Sequence, residues 1–189
     1  MSVDFGSGDH RGTPDEPGRV VTVIQRSFWE TLSDPQKDLE PDSGESLVWG
    51  AAYRIPSSHA EEVNAYLDDR EIDGYSVHYT PFHTCPTFKS SSINNSLHLS
   101  SSEPIKCMVY IGLPSNTQFL REPSLRDPSS IAQVISVSRG QSGENKEYLY
   151  LLEKALENLG LGSADAHITS LVRRVMEIEK NNKKGDSNS

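Results

Sequence analysis

The chain predicts an α+β fold with a mainly antiparallel sheet, on three observations. β-branched or alternating runs occupy the stretch up to residue 111, at 19–24, 47–55, 75–80 and 105–111. One helical pattern interrupts them, at 58–70. From residue 128 onward the periodicity is helical only. Strands first, one inserted helix and then helices is an order that builds an α+β domain rather than repeated βαβ units.

Taken in order, residues 1–18 are rich in Gly, Pro and charge, and contain a dense polar turn, Asp9-His10-Arg11-Gly12-Thr13-Pro14. Residues 19–24 (Arg-Val-Val-Thr-Val-Ile) read as a strand. Residues 33–46 are acidic, carry Pro35 and Pro41, and read as a loop. Residues 47–55 read as a second strand, with Gly50 marking a close approach or bulge. Ser58 then caps a helix, with Glu61 three residues on completing a capping box, and Val63, Tyr66 and Leu67 form its apolar face. Gly74 terminates that helix. Tyr75, Val77 and Tyr79 alternate with Ser76, His78 and Thr80, the strand period. Residues 85–104 hold two triple-serine runs without periodicity and read as a flexible insertion before the strand at 105–111. A helix is expected at 128–137. Asn145 is expected to cap another, with a Leu149, Leu152, Leu156 and Leu159 stripe closed by Gly160 and Gly162. The last helix, 165–180, turns Ile168, Leu171, Val172, Val175 and Met176 inward. The outline is one domain over 5–178, with insertions at about 33–46 and 85–104 and a polar tail at 179–189.

Bulk properties exclude several partners. A net charge of −9 argues against a nucleic-acid backbone and against an anionic membrane surface. No apolar run is long enough to span a bilayer, and the first residues lack the pattern of a secretory signal. Cys85 and Cys107 are the only cysteines, which suits two free thiols in a reducing cytoplasm better than a disulfide framework.

Four residues are candidates for chemistry. Glu71 falls between a helix end and a turn. The negative pole of the helix and the nearby Asp68, Asp69 and Asp73 disfavour its ionised form, which suits general acid/base work, while Arg70 opposes them. The competing reading is a solvated acidic helix end. Glu62, nine positions earlier, projects from roughly the opposite side of that helix, or is a surface carboxylate. Arg11 has the fork to grip a substrate carboxylate, or is an exposed turn residue. Tyr148 sits in the first turn of the helix after Asn145, where free N–H groups attract an anion, or it is a core tyrosine with its hydroxyl satisfied. His78, His83 and Cys85 lack the companions of a metal site, so neither metal nor cofactor is expected.

Several motifs recur in one order. These are Gly6-Ser7-Gly8-Asp9-His10-Arg11-Gly12-Thr13-Pro14, Pro17-Gly18-Arg19-Val20-Val21-Thr22, Trp49-Gly50-Ala51-Ala52-Tyr53-Arg54, Tyr66-Leu67-Asp68-Asp69-Arg70-Glu71-Ile72-Asp73-Gly74-Tyr75, Tyr110-Ile111-Gly112 with Phe119-Leu120, and Ser142-Gly143-Glu144-Asn145-Lys146-Glu147-Tyr148-Leu149. Together they resemble the ChaC family of glutathione-specific γ-glutamylcyclotransferases. The resemblance implies a barrel-like, mainly antiparallel sheet with flanking helices. It also implies cyclisation of the γ-glutamyl group of glutathione to 5-oxoproline with release of cysteinylglycine, without a cofactor. By that pattern Glu71 shuttles the proton; Arg11, Glu62 and Tyr148, read from the residues themselves, are the further candidates for substrate contact. Family members usually begin with a strand running into a Tyr-Gly-Ser-Leu loop, which has no counterpart before Gly6. The alternative expectation is therefore a shortened, non-catalytic binding or regulatory relative.

Overall fold

The computed structural model describes residues 2–34, 48–70, 74–84, 104–160 and 164–186. The expected α+β order is present. Strand β1 (Ser2–Ser7) is antiparallel to β2 (Gly18–Val23), and β3 (Tyr75–Phe82) is antiparallel to β4 (Ile105–Gly112). A short ladder joins β5 (Arg139–Gly140) to β6 (Gly143–Glu144). Helices are α1 (Arg26–Trp29), α2 (Ala60–Arg70), α3 (Pro128–Val137), α4 (Asn145–Leu159) and α5 (Ala166–Asp186). The described strands pair two by two. Single bridges, Ile24 to Gly112 and Phe5 to Phe119, tie the first ladder to the end of β4 and to the loop that follows it.

The β1–β2 ladder positions everything else, because its two faces feed two cores. Alternation along a strand sends successive side chains to opposite faces. Val21 packs on the helical core of Ile131, Ala132, Ile135, Leu149, Ile168, Leu171, Val172 and Val175. Phe5, Val20 and Ile24 join Trp29, Phe28, Leu32 and Phe119 in the second core. Aromatic contacts knit that second core: Phe5 lies 5.5 Å from Phe119 and 6.3 Å from Tyr75, centroid to centroid. Burying each such side chain contributes about 1.5–3 kcal/mol.

Several local expectations differ from the structure. The N-terminal residues form strand β1, because pairing with the β-branched β2 supplies ladder bonds that local composition does not reveal. Residues 48–56 carry no regular structure and are mostly exposed, although their composition favours a strand. The capping box at Ser58 is not made: a 3-10 turn at Ser57–His59 enters α2, and Pro56 stands at its cap without a side-chain bond. Asn145 does not cap α4; its buried side chain serves β2 instead. Met176 faces outward, because the inward stripe of α5 is already filled by Leu171, Val172 and Val175. Helix α5 runs on to Asp186, and 180–185 are exposed. Its N-terminus is held by Asp165, whose Oδ1 accepts from the His167 and Ile168 N–H groups.

A buried pair that sequence reasoning missed fastens β1 to α5. His167 Nε2 lies 2.7 Å from Asp4 Oδ2, and both side chains are buried. Burial opposes the imidazolium, but the hydrogen bond and charge of Asp4, aided by Asp165 and Asp34, outweigh it and raise the His167 pKa. A folded pKa above the unfolded one means that the stabilisation is full below about pH 6.5 and is lost as pH rises through the folded value. The expected result is a urea midpoint difference between wild type and His167→Gln that is largest near about pH 6 and shrinks toward about pH 9. A difference independent of pH would show that the pair stabilises through packing alone.

Candidate active site

The polar turn after β1 is folded onto the start of α4. Asp9 and His10 carbonyls accept from the Gln141 and Ser142 N–H groups, at 3.0 and 2.9 Å. Ser7 Oγ accepts from the Arg11 N–H at 3.1 Å. The path is too tight for side chains at Gly12 and Gly18: a Cβ at Gly12 would collide with the backbone of Gly18 and Ser7, and one at Gly18 with the Arg11 carbonyl and Asn145 Oδ1. Those contacts explain the glycines of this motif better than any turn rule does.

This packing brings Arg11 and Tyr148 together. The Arg11 guanidinium sits 5.5 Å from the Tyr148 ring centroid, and its Nη1 donates to the Glu144 carbonyl at 3.0 Å and lies 4.0 Å from Glu147 Oε2. Among the described residues Arg11 donates a hydrogen bond through Nη1 alone, to the Glu144 carbonyl. Tyr148 Oη accepts from the Val21 N–H at 3.2 Å. Burial raises the Tyr148 pKa, with Asp4 adding to the shift and the Val21 N–H and Arg11 opposing it. The hydroxyl is therefore a neutral donor at physiological pH, fixed in place by the bond it accepts.

Asn145 covers the same strand edge one turn earlier. Its Oδ1 accepts from the Arg19 N–H at 2.6 Å and its Nδ2 donates to the Arg19 carbonyl at 2.7 Å, so one side chain imitates a neighbouring strand. The i, i+3 spacing of Asn145 and Tyr148 puts both on the helix face that meets β2. Asn145→Ala would orphan two backbone groups, at about 1–3 kcal/mol each if they stay dry. The expected result is a fall in unfolding free energy within that range, read from denaturant midpoints at constant m; an unchanged midpoint would mean that water replaces the amide.

The other two candidates lie elsewhere. Glu62 is in the first turn of α2 with its side chain 81% exposed, 3.3 Å from the His59 Nδ1, and is not part of the Arg11–Tyr148 group. Glu71 lies outside the described residues, but its flanks are defined. Before it, Asp68 Oδ1 accepts from the Tyr110 hydroxyl at 2.9 Å. After it, Gly74 adopts φ +80°, a conformation suited to glycine, and its carbonyl accepts from the Leu113 N–H at 2.8 Å and Asn116 Nδ2 at 3.3 Å. Among the described residues no cluster of three metal-ligating side chains occurs, His78 Nε2 lies 2.7 Å from Ser76 Oγ, and Cys85 lies outside them. No described helix is long and apolar enough to cross a membrane.

Sequence reasoning passed over Arg126 and Asp34. Arg126 is 1% exposed; its Nε donates to Asp34 Oδ2 at 2.6 Å, Nη2 to the Ser33 carbonyl at 2.9 Å, and Nη1 to the Leu120 and Arg121 carbonyls. Its guanidinium also lies 5.6 Å from the Phe119 ring centroid. The residues read as the start of a loop at 33 are thus locked to the segment following β4. Only the run Pro123-Ser124-Leu125-Arg126, a 3-10 turn, hints at it locally.

The sequence and the fold match known proteins. The family model for ChaC-like protein matches residues 3–178. A glutathione-specific γ-glutamylcyclotransferase of Schizosaccharomyces pombe is 38% identical over 177 residues, covering 90% of this chain and 77% of that one. One of Saccharomyces cerevisiae is 33% identical, covering 86% and 75%. The crystal structure of a γ-glutamylcyclotransferase specific to glutathione from yeast superposes with a TM-score of 0.68 at 30% identity, over 94% of this chain and 86% of that one. With the match running from β1 into the last helix, this chain belongs to the ChaC-like family.

Proposed function

We propose that this protein is a glutathione-specific γ-glutamylcyclotransferase, a lyase of glutathione catabolism, with its catalytic domain over residues 5–178. The observation that carries the reading is the ordered match over 3–178, with relatives of that name spanning most of the chain. The α-amine of the γ-glutamyl group attacks its own γ-carbonyl carbon, a C–N bond closes the lactam, and the amide C–N bond to the cysteinyl nitrogen breaks. Glu71 takes the proton from the ammonium and returns it to the leaving nitrogen, so 5-oxoproline and cysteinylglycine form without water, metal or cofactor. Both transfers are needed, because an ammonium is not a nucleophile and an unprotonated amide nitrogen does not leave. Holding the amine against the carbonyl supplies the proximity contribution.

Arg11 and Tyr148 support the substrate end of this reading. A guanidinium with unused donors suits a glutathione carboxylate, and the Tyr148 O–H, oriented by Val21, suits a carbonyl or carboxylate oxygen. Glu62, exposed on α2, stands apart from that pair, and its part in the reading is limited to attracting the α-ammonium of the substrate. Glutathione as substrate and the absence of a disulfide framework point to the cytoplasm as the place of action.

The experiment is incubation of the purified 189-residue chain with glutathione and quantification of both products. Equimolar 5-oxoproline and cysteinylglycine are expected. A folded, monodisperse chain that releases neither would overturn the reading in favour of a non-catalytic relative.

A further inference from the structure

Glu147 stands beside the Arg11 guanidinium without bonding to it. Its Oε2 lies 4.0 Å from Arg11 Nη1, the outer limit of an ion pair, and its side chain is 62% exposed against 17% for Arg11. Among the described residues the Glu147 side chain makes no hydrogen bond. The neighbouring charges are already matched. Lys146 Nζ meets Glu179 Oε1 at 2.9 Å and Glu144 Oε2 at 3.5 Å, and Arg139 Nη1 meets Glu144 Oε1 at 3.9 Å. Glu144 therefore gives its carboxylate to those two cations and only its carbonyl to Arg11. Gly143 makes the space beside the guanidinium. It adopts φ +109°, and a Cβ there would stand 3.1 Å from Glu147 Oε2 and 3.3 Å from Arg11 Nη1. A pair so open to water contributes little to stability. Glu147 also lies in the first turn of α4, where a carboxylate suits the helix dipole, but that role needs no approach to Arg11.

We propose that Glu147 is a tethered stand-in for a substrate carboxylate at Arg11, displaced when the substrate binds. This inference rests on the reading of Arg11 as the grip on a glutathione carboxylate. Glutathione carries two, one on the α-carbon of the γ-glutamyl group and one at the glycyl end, and the chemistry at a guanidinium is the same for both. A ligand carboxylate can reach the distance that Glu147 does not, about 2.7–2.9 Å for a charge-assisted bond, so displacement gains hydrogen bonds. It must also push aside a like charge, so Glu147 weakens binding. Glu147 thus sets a threshold: a carboxylate that meets the fork with two oxygens displaces it, and a neutral or poorly placed group does not. Removing one charge a few ångströms from a bound carboxylate at a partly exposed site shifts affinity by a few-fold.

Steady-state turnover of glutathione by the full chain, with a calorimetric Kd and a thermal midpoint for each variant, tests the inference. Glu147→Gln keeps the size of the side chain and removes its charge. It is expected to lower KM and Kd about threefold or more, with kcat within about twofold, and the gain is expected to shrink as salt rises. Glu157→Gln removes the same charge from an exposed position of α4 about 15 Å further along the helix, and is expected to change neither constant. In an Arg11→Gln background, Glu147→Gln is expected to have no effect on KM. Glutathione amidated at the glycyl carboxyl and glutathione amidated at the α-carboxyl separate the two sources: the gain disappears with the amide that removes the carboxylate Arg11 holds.

An unchanged KM in Glu147→Gln overturns the inference and, with a lowered midpoint, assigns Glu147 to the helix dipole alone. A raised KM overturns it too, since that makes Glu147 a partner of the substrate ammonium. An equal gain in Glu157→Gln overturns it in favour of net charge, and so does a gain that survives Arg11→Gln or both amides. In each of these cases turnover by wild type leaves the proposed function standing. Wild type that binds glutathione without releasing product, and binds it more tightly as Glu147→Gln, removes the proposed function and keeps the inference; neither binding nor turnover removes both.

Discussion

Glu71→Gln is expected to lower kcat for 5-oxoproline release by about 10²–10⁴-fold, with KM for glutathione nearly unchanged. Glutamine keeps the size and polarity of the side chain but cannot accept the ammonium proton or carry it to the leaving nitrogen. An interaction needed only in the transition state appears in kcat, not in ground-state affinity. Product release followed under saturating glutathione measures it directly. Retention of more than about a tenth of wild-type kcat would assign the proton transfer to another group.

Arg126→Met is expected to lower the unfolding free energy by about 3–5 kcal/mol, the usual cost of leaving one member of a buried ion pair alone. Asp34 has a fully buried side chain and would lose the guanidinium, 2.6 Å away, that now meets it. The carbonyls of Ser33, Leu120 and Arg121 would lose a donor at the same time. The double variant Arg126→Met, Asp34→Leu replaces both members of the pair by apolar side chains and is expected to recover part of the loss. Guanidinium midpoints at constant m decide it, and a single-variant loss below about 1 kcal/mol would show that water reaches Asp34.

Elements with a strong local period were legible. The alternation from Tyr75 and the β-branched runs before Ile24 and Ile111 became β2, β3 and β4, and Gly74 and Gly160 turned out to hold positive φ at the ends they were expected to mark. Local signals failed where a partner from elsewhere in the chain won. Asn145 has the composition of a cap, but the edge of β2 offered its amide two bonds at once. Residues 48–55 have strand composition, yet propensity alone does not supply a neighbouring strand, and in the structure they have none. Asp4 and His167 are 163 residues apart, so no window of sequence could have joined them.

The same division holds for the candidate site. Arg11, Glu71 and Tyr148 could be named from sequence because their motifs fall in family order and their types suit the chemistry, and Glu62 from its type and place on the helix alone. By itself the sequence determined the α+β order, the family and the residue types available for the proposed proton transfer. Only the tertiary structure decided that Arg11 sits over Tyr148 while Glu62 stands in solvent on α2, and that Tyr148 is a neutral donor fixed by Val21. The physical reason is range. Propensity and period act over a few residues, whereas burial, ion pairing and hydrogen-bond satisfaction depend on which distant segments the two cores bring within 3 Å of each other.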